Sequence, residues 1–211
     1  MQISLAGTTI ELLPQRAIFL PETAVLILGD LHLGKAMHFR KAGIFMPPQS
    51  AYKDYETLHL LIQKHQPQHV YFLGDLFHSH HNSEWNQLTA FIGEHPQTMF
   101  TLIKGNHDIL KAELYRQHNI NVIEKALIID NLIFSHEPLK TLPEGMINVA
   151  GHIHPGCVIR SGGRQSLRLP CFYFKDNLLL LPAFGHLTGL QILDRSDAEV
   201  FVVFPDKVMV L

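Results

Sequence analysis

The chain has 211 residues, 46% hydrophobic and 17% charged, with a formal net charge of −2, which suits one sizeable core and leaves little room for two. That composition excludes a disordered chain, and the near-neutral balance excludes a protein that coats long duplex nucleic acid. No apolar run approaches the roughly 20 residues of a membrane-spanning helix.

The first residues, MQISLAGTTIELLPQR, lack a basic stretch followed by an apolar one, so no secretory signal is expected there. Ala24–Leu28 is a continuous apolar run that stops at Gly29-Asp30, as a strand buried on both faces would. After Pro47-Pro48 the spacing predicts a helix with Ser50 as its cap and Tyr52, Tyr55, Leu58, Leu61 and Ile62 on its inner face. Val70–Leu73 repeats the strand pattern and runs into Gly74-Asp75. A second helix is expected from Ser83, burying Trp85, Leu88, Phe91 and Ile92. Met99–Ile103 leads through Lys104 into Gly105-Asn106-His107-Asp108, and a third helical pattern, ILKAELYRQH, follows. This alternation over Ala24–His118 predicts βαβ units in a largely parallel sheet.

The second half is strand-rich. Strands are expected over Leu127–His136, Ile147–His154 and Leu167–Phe174, and then in NLLLLPAF, LQILD and VFVVF, with breaks at Pro143-Glu144-Gly145 and Gly162-Gly163. No repeat or linker divides the chain, so residues 1–211 read as a single domain of two packed sheets flanked by helices. Cys157 and Cys171 are too few for a disulfide framework and are expected as buried, reduced thiols of a cytoplasmic protein.

Fifteen histidines against 17 lysines and arginines is out of proportion. Imidazole ligates borderline metals and moves protons near neutral pH, so the positions of these residues decide their meaning. Five polar patterns fall at predicted strand ends: Asp30-x-His32, Gly74-Asp75, Gly105-Asn106-His107-Asp108, Ser135-His136 and Gly151-His152-x-His154. In α/β proteins the C-terminal strand edge is where ligands bind. Asp-x-His alone carries no information, but all five together do. Asp30, His32, Asp75, Asn106, His136, His152 and His154 offer carboxylate, imidazole and one amide oxygen without thiolate, a mixture suited to Mn, Fe, Co, Ni or Zn. Seven side chains are too many for one ion with open positions and right for two sharing a carboxylate. Such a pair clamps the attacking and leaving oxygens at phosphorus. Asp108 is placed to orient His107.

The ordered set GDLH, GD, GNHD, H and GHIH resembles the calcineurin-like metallophosphoesterases over about Gly29 to Pro155. GDLHLGKAMHFRKAGI, LRLPCFYF and LPAFGHLTG are similar to blocks of the bacterial DNA ligase-associated metallophosphoesterases. The resemblance implies a four-layer α/β/β/α sandwich and a manganese-dependent phosphoesterase acting at DNA ends, encoded with a ligase, a helicase and an exonuclease. It further implies Asp30, His32, Asp75 and His154 around a first divalent metal and Asp75, Asn106, His136 and His152 around a second. A metal-bridging hydroxide would attack, with His107 protonating the leaving oxygen. Where many superfamily members carry a second acid after Gly-Asp, this chain has His78.

The remaining polar residues have ordinary readings. His78, His80 and His81 are expected in a solvated loop near the mouth of the site, and His38, His59, His65, His69, His95, His118 and His186 as surface or satisfied core residues. Lys35, Arg40 and Lys41 form a basic patch where a nucleic-acid phosphate would lie, with a solvated loop face the equal alternative. Two loaded cations would bring the −2 chain near neutrality, which favours a DNA end or a short single-stranded segment over tight binding along duplex. The rival readings are a small-nucleotide phosphoesterase and a non-catalytic scaffold on the same fold.

Overall fold

A computed structural model describes residues 1–33, 49–77, 83–160 and 166–211, with backbone only at 49–51 and 83. The chain opens with an antiparallel meander of β1 (Gln2–Leu5), β2 (Thr8–Leu13) and β3 (Ala17–Leu20), to which β4 (Val25–Leu28) adds antiparallel. The first hairpin turns at Ala6 and Gly7, both at positive φ (48° and 85°), the mirror-image turn that matches the natural twist of two strands. Crossovers through α1 (Gln49–His65) and α2 (Ser83–Gly93) make β5 (His69–Leu73) and β6 (Met99–Ile103) parallel to β4. The short α3 (Ala112–Arg116) then leads to β7 (Ile120–Ile123), also parallel. The first sheet runs β1 to β7 in sequence order.

The second half supplies β8 (Ala126–Ile129), β9 (Leu132–Ser135), β10 (Ile147–Ala150), β11 (Pro155–Arg160), β12 (Ser166–Lys175) and β13 (Leu178–Leu180), then β14 (Gln191–Ile192), β15 (Glu199–Val203) and β16 (Val208–Val210). They form a sheet ordered β14-β11-β12-β13-β10-β9-β8, with β15 and β16 joined to it through β12. Within it β9, β10 and β13 are mutually parallel.

The two sheets pack face to face. Ile10, Leu12, Ile18 and Ile27 of the first meet Phe134, Val149, Phe172, Leu179 and Phe201 of the second in one core. On its other face the first sheet buries Leu26, Phe72, Phe100 and Leu102 under Leu58, Leu61 and Ile62 of α1, Trp85, Leu88, Phe91 and Ile92 of α2, and Tyr115 of α3. The outer face of the second sheet carries a smaller cluster around Cys157, Cys171, Val200 and Val202. Both thiols are free and buried. The mixed α/β architecture with two large sheets is the expected one, and all three described helices lie on the first sheet. No described helix is long and apolar enough to cross a membrane.

Four local expectations are corrected. The Leu127–His136 run is two strands, because Asp130 at φ 51° reverses the chain before Asn131. Tyr52 is half exposed rather than on the inner face of α1. The third helix is only five residues long. The three N-terminal strands were not anticipated.

Candidate metal centre

Every one of the five polar patterns follows a strand: Asp30 and His32 after β4, Asp75 after β5, Asn106 and His107 after β6, His136 after β9, and His152 and His154 after β10. Because β4, β5 and β6 are parallel, and β9 and β10 likewise, these turns emerge from matching edges of the two sheets and meet.

Turning from strand to loop within one or two residues forces unusual backbone. Asp30, His32, Asp75, His152 and His154 all adopt left-handed φ, between 50° and 66°. For side chains other than glycine each such conformation costs on the order of 1–3 kcal/mol and persists where surrounding structure imposes it. The neighbouring glycines are explained by close approach. A Cβ on Gly74 would occupy the His136 ring, and one on Gly151 would lie 2.6 Å from Asp30 Oδ2.

Two groups of potential ligands result: Asp30, His32 and His154, and Asp75, His136 and His152, with ligand atoms inside each group within 4.8 Å of one another. Asp75 stands between them, Oδ2 3.7 Å from His32 Nε2 and Oδ1 3.5 Å from His136 Nε2. Asn106 joins the second group, its Oδ1 3.0 Å from His136 Nε2. The structure therefore brings together all seven residues singled out for this chemistry.

The direction of the lone pairs tests whether these residues suit a cation. Nδ1 of His136 is 2.9 Å from the Leu73 carbonyl, which can only accept, so the ring proton sits there. In the neutral ring Nε2 then presents a lone pair towards Asn106 Oδ1, Asp75 Oδ1 and His152 Nδ1, the last at 3.1 Å. In the first group His32 Nε2 and His154 Nε2 face each other at 3.4 Å, and His154 Nε2 is 3.2 Å from Asp30 Oδ1. Asp30 is fully buried, and its Oδ1 accepts no hydrogen bond among the described residues. His136 Nε2, Asn106 Oδ1 and Asp75 Oδ1 are thus acceptors converging on one another, an arrangement that a cation relieves. The donor set fits two divalent ions.

His107 lies beside the first group: its ring meets that of His32 edge-on at 5.9 Å, and its backbone N–H donates to Asp75 Oδ1 at 3.0 Å. Asp108, expected to orient the His107 ring, has a definite structural task. Its buried carboxylate accepts from the amides of Gly105 (2.8 Å) and Phe77 (3.1 Å) and faces the Tyr115 hydroxyl, so it closes the turn that carries Asn106 and His107. Burial pushes this carboxyl up to about 6, the nearby Asp75 charge adding to the effect and the two amides opposing it.

Lys35, Arg40, Lys41 and His38 lie outside the described residues, as do His78, His80, His81, Gly162 and Gly163. His186, read as a satisfied residue, has a definite partner. Its ring and backbone N–H both engage Asp54 Oδ1 on α1, while Phe184 and Gly185 donate to the carbonyls of Gly29 and Asp30. This contact clamps the first ligand turn from behind. Its trace in the sequence is the LPAFGHLTG block.

A two-sheet sandwich whose paired edges gather two carboxylate–imidazole groups defines a metal-dependent phosphoesterase. Residues 23–188 match the model of the calcineurin-like phosphoesterase family, and the chain belongs to that family. Among solved structures, a Pseudomonas putida nuclease, MPE, is 25% identical, covers 100% of this chain and 99% of its own, and superposes with a TM-score of 0.82. Looser matches are the Escherichia coli phosphoesterase Yfce, at 13% identity and TM-score 0.46 over 84% of this chain and 86% of its own, and an Aquifex aeolicus protein of unknown function. The latter is 16% identical, with TM-score 0.45 over 62% of this chain and 78% of its own. No curated protein matches the chain in sequence.

Proposed function

We propose that residues 1–211 act as one domain, a two-metal phosphodiesterase that cleaves DNA at or near strand ends, with manganese as its metal. The observation that carries this reading is Asp75, set between two groups of histidine and carboxylate, with His107 on the adjoining turn. Asp30, His32, Asp75 and His154 would hold one cation, and Asp75, Asn106, His136 and His152 the other. Divalent ions bound there supply Lewis-acid stabilisation of the phosphoryl oxygens and a nucleophile at neutral pH.

The chain's own groups do the rest. Leu73 fixes the tautomer of His136, and Gly151 lets the Asp30 carboxylate reach the His152 amide at 2.9 Å. His107, tethered to Asp75 through its backbone, delivers a proton to the departing ester oxygen. Asp108 is a positioning residue that holds this turn closed.

The preference for DNA draws support from the Pseudomonas putida nuclease and from the ligase-associated blocks in the sequence. Those blocks also suggest a functional link to a DNA ligase, a helicase and an exonuclease, and the two free buried thiols suit a reducing cytoplasm. Manganese-dependent hydrolysis of bis-p-nitrophenyl phosphate and p-nitrophenyl phosphate tests the reading, with Asp75→Asn alongside. Diester turnover lost in the variant is expected. No turnover of either ester by metal-loaded protein, or a wild-type rate in Asp75→Asn, refutes it.

A further inference from the structure

The second ligand group opens on one side into a cleft of about 540 Å3 whose far walls carry no role in the reaction above. Asn106 and His136 line it on the side of the metal ligands, and Lys104, Lys125 and Lys140 line its walls together with Glu124 and the exposed Glu137. Lys104 is engaged by Glu124 at 3.7 Å. Lys125 and Lys140 are exposed and make no ion pair among the described residues.

One wall is unusually well fixed. Asn148 is only 1% exposed, a costly place for an amide unless all its hydrogen bonds are made. Its Oδ1 accepts from the Leu139 amide at 2.8 Å, and its Nδ2 donates to the Ile133 carbonyl and the Ser135 hydroxyl at 2.8 and 2.9 Å. Ser135 in turn donates to the Glu137 carbonyl at 2.7 Å. This network holds the segment directly after His136 in one shape, with Pro138 and the 38%-exposed Leu139 offering an apolar surface to the cleft.

The geometry points to this cleft as the seat of the nucleotide next to the scissile bond of a single-stranded polynucleotide. Its base lies against Pro138 and Leu139, and its flanking phosphates meet Lys125 and Lys140. The volume falls in the range of roughly 300–1,000 Å3 that holds a compact organic ligand. A small ester has one phosphate, consumed at the metals, and nothing for these lysines to hold. The inference rests on the phosphodiesterase reading and assigns the residues that hold the neighbouring nucleotide.

The test compares wild type, a Lys125→Ala/Lys140→Ala pair and a Lys125→Arg/Lys140→Arg pair on a short single-stranded oligodeoxynucleotide and on bis-p-nitrophenyl phosphate. The ratio of kcat/KM for oligonucleotide over ester should fall about tenfold or more in the alanine pair. The log–log salt slope should become shallower by about 1.4, from two phosphate contacts at about 0.7 each. The arginine pair should restore both. An oligonucleotide-cleaving wild type whose alanine pair keeps the ratio within about twofold and the slope unchanged overturns the cleft assignment alone. A wild type that turns over the ester but no oligonucleotide overturns the DNA reading and the inference with it.

Discussion

Gly151→Ala is the sharpest single test of how the centre is built. The added Cβ would sit 2.6 Å from Asp30 Oδ2, closer than real Cβ contacts allow, and 3.2 Å from the Leu73 carbonyl, a tight contact that needs a small shift. Neither neighbour yields freely. Asp30 is fully buried and its Oδ2 holds the His152 amide at 2.9 Å, while the Leu73 residue belongs to β5 and its carbonyl fixes His136. Overpacking costs about 1–3 kcal/mol, and loss of the charged hydrogen bond about 1.5–3 kcal/mol. A net loss of about 3 kcal/mol lowers Tm by about 6–12 °C in a protein of this size. Because Asp30 is displaced, the first cation should be lost preferentially, which metal analysis after dialysis would show as a fall from about two ions per chain towards one. Gly93→Ala, at the end of α2 with nothing within 4 Å of the new methyl, is the matched control and should be neutral or stabilising by up to about 1 kcal/mol. Equal Tm values and metal contents for Gly151→Ala and wild type would refute the close-packed account of the site.

Three further outcomes are expected. His107→Ala should keep its metals but lose about 10²–10⁴ in kcat on diesters with alkoxide leaving groups and far less on p-nitrophenyl esters; equal losses on both would remove its role as proton donor. Chelation should lower Tm, since a ligand at about 100 times its Kd contributes about 2.7 kcal/mol; a Tm indifferent to chelator would argue against bound metal. Burial holds His65, His69 and His95 below the usual imidazole range. A depressed folded-state value makes the unfolded chain bind the extra protons, so the stability each contributes is present above about pH 6.5 and lost as pH falls. Denaturant melts of metal-free protein at pH 7.5 and 6.0 should show the lower midpoint at pH 6.0, with a shallower dependence when all three are changed to Gln.

The ligand residues were legible in sequence for a local reason: each follows an apolar run ended abruptly by Gly or a polar residue, and a parallel strand edge is the only place such turns accumulate. What escaped notice depended on distance. Asn148 looks like a polar interruption in INVA until Leu139 and Ser135 are seen around it. Asp54 and His186 are 132 positions apart, and no spacing rule links them. The sequence neighbourhood of Asp108 points to His107, whereas the partner that its carboxylate holds, the Phe77 amide, lies 31 residues earlier. The N-terminal strands are short and only weakly alternating, so their antiparallel extension of a parallel sheet left little mark in the pattern.

Each ligand group draws from both sheets: Asp30 and His32 stand 122 or more residues ahead of His154, and Asp75 precedes His136 by 61 residues and His152 by 77. During synthesis, therefore, a ribosome releases the first half of both groups long before the second exists. A chain that stops short of His152 can assemble neither one. A metal-dependent phosphoesterase built this way gathers its ligands only when the strands before His136, His152 and His154 have packed on those before Asp30 and Asp75, so docking of the two sheets is itself the safety catch.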